Sequence, residues 1–374
     1  MYSQQELDDA VAAGAIPAES ANALRAFVSQ QRSSTIVDEE HFRLITGFND
    51  IFVAVAGGIL FFAVGWIGQW LGEQTGFILD GEMTPIAGAF IAATAWGLAS
   101  YFTAKRRMAL PSILFMLAFL VGIGWTVFGG LAMGVEAMMA EPGERELAIV
   151  AAIAAACTAF AAKLHWNSYR VPITVAAGAV AVAAIVIALV AAVLADTIAA
   201  AALMDIILAM VLVLGIAIFA YAMKWDASDP ARVTRRSDVA FWLHLAAAPM
   251  IVHATFSLLG LNDGNATIAE GFIVIGLYIA MGLTALAVDR RAMLVSALAY
   301  VLIALSEMFR QFGAVELNIA LTALVIGSAL LLLSAFWHQA RGKVVSALPA
   351  GLQSRLPNLH GVAAAPQVSR EPAA

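Results

Sequence analysis

The chain has 374 residues, of which 62% are hydrophobic and 12% charged, with a formal net charge of -6 and a mean hydropathy of +0.88. Such a composition excludes an ordinary water-soluble domain, in which about a quarter of the residues are charged. No basic domain points to nucleic acid as a partner.

Residues 1 to 49 are polar and lack the basic-then-apolar start of a cleavable signal, so none is expected. Ser3 followed by Glu6 forms a capping box, in which each side chain satisfies a free backbone N–H at a helix start. Gly14 suits the left-handed end of that helix, and Pro17 suits the first turn of the next. Residues 3 to 29 therefore read as a helical hairpin, with Leu7 and Val11 facing Leu24, Phe27 and Val28. So small a core is marginal alone, which leaves two readings of the hairpin: a docking element for the membrane domain, a second copy or another protein, or a stub with no partner. Asp38, Glu39 and Glu40 suit a helix N-terminus, and residues 38 to 46 read as a short interfacial helix that leads into the membrane.

Ten long apolar segments follow: Asp50 to Leu71, Thr84 to Thr103, Pro111 to Met133, Leu147 to Lys163, Pro172 to Leu194, Leu203 to Met223, Ala240 to Leu261, Gly271 to Val288, Met293 to Phe312 and Leu317 to Trp337. A hydrocarbon layer of about 30 Å needs about 20 helical residues, and these segments have that length, Leu147 to Lys163 being the shortest. Continuous apolar runs exclude a transmembrane barrel, whose strands alternate between lipid and lumen. The expected fold class is all-α, a polytopic transmembrane helical bundle of about ten spans. Of the lysines and arginines near a span, sixteen fall on one side and only Arg145 and Arg310 on the other. Because basic residues are retained on the cytosolic side, both termini are expected there. The organisation is then a cytosolic hairpin over 1–35, an interfacial entry over 36–49, a transmembrane domain over 50–338, and a cytosolic tail over 339–374 that is largely disordered.

In the first span Ala54, Gly58, Gly65, Gly68 and Gly72 share one stripe, and Gly130 with Gly134 repeats the same spacing. Small side chains let helix backbones approach closely when lipid removes the hydrophobic drive between them. Trp66, Trp70 and Trp337 near span ends read as interfacial anchors. The seventh span holds Pro249 between His244 and His253, which lie on opposite faces about 13 Å apart along the axis, too far for a shared metal. His244 falls near the cytosolic surface and reads as a snorkelling or solvated histidine. His253 lies deeper, at the same expected height as Glu307 in the ninth span, and Arg310 shares the Glu307 face. An ionisable group within a span usually faces the bundle interior and a partner. With Gln69, Asp205 and Asn318 in the same outer layer, His253, Glu307 and Arg310 make a candidate polar vestibule. The competing reading is a set of interfacial residues at span ends plus one internal salt bridge.

Cys157 is the only cysteine, so no disulfide forms within the chain. Protease, nucleophile-elbow, phosphate-loop and dinucleotide motifs are not found, and no catalytic residue, metal site or cofactor is assigned.

With the hairpin, the Gly-Phe-Asn-Asp entry at Gly47 to Asp50 and the Asp238 to His253 segment, the chain resembles bacterial multispanning inner-membrane proteins of unknown function that begin with a short cytosolic helical hairpin. The resemblance implies a location and a layout, with the lipid bilayer as partner and residues 3–29 as a surface for a protein or a second copy. Two functions fit these features. Ten spans, a kinked helix and intramembrane ionisable groups suit a small-solute transporter or permease. The hairpin suits a non-transporting membrane scaffold or regulator.

Overall fold

The computed structural model describes residues 7, 10–24, 48–77, 84–139, 142–229, 232, 234–260, 268–311, 317–353 and 356. The chain divides into two compact units, one of residues 1–42 with 360–374 and one of residues 43–359. In the first unit the chain is helical at residues 10–12 and 18–24, on either side of a turn in which Gly14 takes φ +69°. Its N–H there bonds Val11 O at 3.0 Å, and Ala21 in the second helical stretch is fully buried. Ser3, Glu6, Phe27, Val28 and the expected interfacial helix over 38–46 lie outside the described residues, as does the tail after residue 356.

The second unit is built from helices alone among the described residues: α1 (Phe48–Thr75), α2 (Pro85–Leu98), α3 (Ala109–Met138), α4 (Glu144–Tyr169), α5 (Ile173–Leu194), α6 (Ala200–Ala227), α7 (Arg235–Leu258), α8 (Ile268–Val288), α9 (Ala292–Gln311), α10 (Asn318–Ala335), α11 (Trp337–Ser346) and the single turn α12 (Ala350–Gln353). All ten apolar segments are thus helical. Nine helices are long and apolar enough to cross a membrane among the described residues, and α9, with 20 residues, has the same reach. The protein is a multi-pass membrane protein.

Local chemistry sets the helix ends. Thr84 caps α2 by accepting from Ala87 N–H, with Pro85 at the first helical position, where its missing donor costs nothing. Beyond Leu98 this helix widens to a π turn over Ala99–Thr103. At the far end of α4, Arg170 adopts φ +53° and its guanidinium stacks over Trp166. Asp289 ends α8 at φ +60°.

Close backbone approach governs the first helix pair. A methyl group added at Gly68 would stand 2.6 Å from Ala87 Cα, and one at Gly72 would stand 2.5 Å from Thr84 Oγ1. Gly65 faces Ile91 in the same seam. Gly58, Gly130 and Gly134, expected to pack in the same manner, face nothing within 4 Å, whereas Gly57 on the adjoining face receives the Phe115 ring. The reason is rotational: α1 presents Gly57, Phe61 and Gly68 inward to α2 and α3, so Gly58 falls on the outer side.

Burial is greatest in α7. Half of its most apolar window is buried, against 11% to 33% in the other spans, so α7 is the central helix of the second half of the unit. It packs on α5, α6 and α9, and Val239, Leu243, Ala247 and Ala248 are all but inaccessible. The small alanines at 247 and 248 bring neighbouring helices close, which fixes what lies at the ends of α6, α8 and α10.

Candidate functional site

Asp226 sits in the last turn of α6, and its carboxylate is wholly buried. His244, one third of the way along α7, turns Nε2 toward it at 2.9 Å. Arg290, in the turn between α8 and α9, donates Nη2–H to Asp226 Oδ1 at 2.5 Å and to the Ser237 carbonyl oxygen at 3.1 Å. Three separate segments therefore converge on one carboxylate. A second node adjoins the first. Arg232, between α6 and α7, donates to Asp289 Oδ2 at 3.0 Å and to the carbonyls of Val288 and Asp289. That places a cation on the C-terminal carbonyls of α8, where the helix dipole favours it. Trp337 donates its indole N–H to Asp289 Oδ1 at 2.7 Å, and Arg341 of α11 approaches the same oxygen at 3.7 Å. Arg291 stacks over the Trp337 ring at 4.9 Å.

Asp226, Asp229 and Asp289 are buried, as are Arg290 and Arg341, and the Arg232 side chain is only 8% exposed. Asp226 pairs with Arg290, and Asp289 with Arg232 and Arg341. His244 Nδ1 has no hydrogen-bond partner among the described residues, so the ring's single polar contact is the bond through Nε2 to Asp226. Asp229 accepts from Thr234 N–H and Oγ1–H, which secures the start of α7. Burial alone would raise the Asp289 carboxyl; the Arg232 guanidinium, the Trp337 N–H and Arg341 outweigh it and hold Asp289 below the usual carboxylate range.

Two expectations are corrected here. His244 is not solvated at the membrane surface but fully buried, because α6 and the α8–α9 turn close over it. Trp337 is not an interfacial anchor: it is 2% exposed and committed to Asp289. Trp66 and Trp70, at 68% and 57% exposure, do face outward.

A second buried histidine lies elsewhere in the bundle. His165, near the end of α4, is fully buried, with Nδ1 3.2 Å from Thr174 Oγ1 of α5. Trp96, Phe119 and Tyr169 surround its ring.

The vestibule residues are dispersed in their roles. Gln69 accepts from Thr84 N–H at 2.7 Å and donates to Glu73, clamping α1 to the start of α2. Asn318 donates to Ser306 Oγ at 3.1 Å and joins α10 to α9. Asp205 on α6, His253 on α7 and Arg310 on α9 are exposed. The Glu307 side chain lies outside the described residues, and with it the expected contact to His253.

Comparison with protein-family models, curated proteins and solved structures finds no match. Buried ion pairs contribute little net stability compared with apolar side chains of the same volume, while removal of one partner is costly. Ion pairs drawn from the α6–α7 and α8–α9 connections and from α11 can act as a latch between those helix ends. No group of three metal-ligating side chains occurs among the described residues.

Proposed function

We propose that the chain is a small-solute permease of a bacterial inner membrane, with both termini cytosolic, and that the Asp226–His244–Arg290 cluster closes its cytosolic end. The observation that carries this reading is the convergence of Arg290 on Asp226 and of Arg232 and Arg341 on Asp289, all buried or nearly so, at the ends of α6 and α8 and on α11. Intramembrane and near-membrane ionisable groups are costly and tend to mark pathways and relays. Partners held only by electrostatics can exchange one another for water or solute, whereas an apolar plug has no such alternative. The sixteen-to-two distribution of basic residues supports the orientation.

A scaffold or regulatory role is the second reading, favoured by the grouping of residues 1–42 with 360–374 into a unit separate from the helical bundle. One experiment distinguishes the two. Purified protein is reconstituted in liposomes and tested for counterflow with a panel of labelled amino acids, sugars and organic ions. The permease reading expects saturable exchange of at least one class, and a several-fold higher passive leak in Arg290→Gln. Absence of flux in folded wild type and variant, together with a stoichiometric protein partner lost on deleting residues 3–29, would favour the scaffold.

A further inference from the structure

Beside the charge cluster, α8, α9 and α10 enclose a groove of about 140 Å³. This is near the volume of an engineered cavity of about 150 Å³ that holds one benzene ring, so the groove accommodates a length of hydrocarbon chain and not a whole solute. Its walls are Leu294 and Leu298 of α9 with Leu330 and Leu333 of α10. Val295, also lining it, is 66% exposed, so the groove opens sideways from the bundle. At one end stand Arg291 and Trp337, and at the other Tyr278. Leu298 lies about 10 Å beyond Arg291 along α9 and Tyr278 about 15 Å from the end of α8, at about 1.5 Å per residue. The groove thus runs from the arginine-rich end of the bundle to about the middle of a hydrocarbon layer of about 30 Å, the depth of one acyl chain in one leaflet.

We infer that this groove is a binding site for an anionic phospholipid of the leaflet at the arginine-rich end, with one acyl chain between α9 and α10 and the phosphate at Arg291. Only molecules dissolved in the bilayer reach a lateral opening at this depth. The headgroup preference follows from Arg291, which is held in place by stacking on Trp337 while Trp337 is itself fixed by its bond to Asp289. A guanidinium matches phosphate oxygens in a bidentate manner. Tyr278 separates this ligand from another. Its hydroxyl is buried with no hydrogen-bond partner among the described residues. A lipid-soluble ligand with a carbonyl at mid-bilayer depth, of the quinone kind, would need that hydroxyl, and an acyl chain would not. The inference does not depend on the permease reading.

The test is native mass spectrometry of the delipidated full chain titrated with phosphatidylglycerol or phosphatidylcholine of equal chain length. Wild type is expected to prefer phosphatidylglycerol about five-fold, the ratio that corresponds to about 1 kcal/mol for one arginine at an anionic membrane surface. Arg291→Gln should bring the ratio near one. Leu298→Trp and Ser334→Phe, which fill the groove from two different helices, should weaken both lipids several-fold, and whichever variant remains monodisperse suffices. Tyr278→Phe should change nothing. No preference in wild type, a preference that survives Arg291→Gln, groove-filled variants that bind as wild type, occupancy by the chain's own tail, or loss of binding in Tyr278→Phe would each overturn the assignment.

Discussion

Asp226 satisfies two neighbours at once, the imidazole of His244 and the guanidinium of Arg290, with no access to solvent. Asp226→Ala leaves Arg290 buried without its carboxylate, and the expected loss is about 3–5 kcal/mol, read as a lowered denaturation midpoint in detergent. A loss below about 1 kcal/mol is what an exposed pair gives and would contradict the burial described. Asp289 sets a pH dependence whose direction is fixed. Its carboxyl is held below its ordinary value of 3.8, against burial, by Arg232, Trp337 and Arg341. A depressed folded-state pKa contributes stability that is fully present above the unfolded value and lost as pH falls through the folded one. The protein should therefore lose stability on acidification below about pH 4, and Asp289→Asn should flatten that part of the profile while lowering stability at neutral pH. An unchanged acid limb in the variant would assign the loss to other groups. These residues were visible in the sequence only as topology signals. Arg232, Arg290 and Arg341 count among the basic residues that set orientation, whereas Asp226, Asp229 and Asp289 on the same side carry little topological weight. The alternation of Asp and Arg across two loops was the available sign, and only tertiary packing shows that the loops meet.

At the scale of elements, apolar length and composition were enough to place ten helices, since a backbone in lipid has few other ways to satisfy its N–H and C=O groups. Which helices pack closely was only partly readable. The stripe in α1 located the seam with α2 at Gly65, Gly68 and Gly72, but a stripe does not say where contact stops, and Gly58 lies beyond it. Gly68→Ala should accordingly cost about 1–3 kcal/mol by overpacking, because Ala87 Cα is backbone and cannot turn aside. Gly58→Ala should be neutral or stabilise slightly, through the higher helix propensity of alanine. Thermal unfolding of the two variants in one detergent gives the comparison; equal effects would remove the asymmetry. Helix α11 is not expected from the sequence, in which Trp337 reads as the end of the last span and the residues from 339 as tail. Its Trp337, Arg341 and Val345 face is buried, a spacing of four that lies on one side of a helix.

For the whole molecule, the arginine-rich end is where the separate arguments meet. Arginines that enter the count of basic residues on one side also join the connections that follow α6, α8 and α10. Of the outer-layer residues read as a vestibule, Gln69 and Asn318 are each engaged with the adjacent helix, and the expected contact between His253 and Glu307 lies outside the described residues. Depth along a helix was inferable from the sequence, but rotation about its axis was not, and rotation decides which histidine of α7 is buried. The central claim, that the Asp226–Arg290 contact closes a solute path, is tested most directly by bridging it reversibly. In a Cys157→Ser background, cysteines at positions 226 and 290 are joined by a short, reductively cleavable thiol reagent, and solute leak from proteoliposomes is measured before and after reduction. The account expects tight vesicles while the bridge is intact and a several-fold rise in leak when it is cut. Equal permeability in the two states of the same folded protein would contradict it.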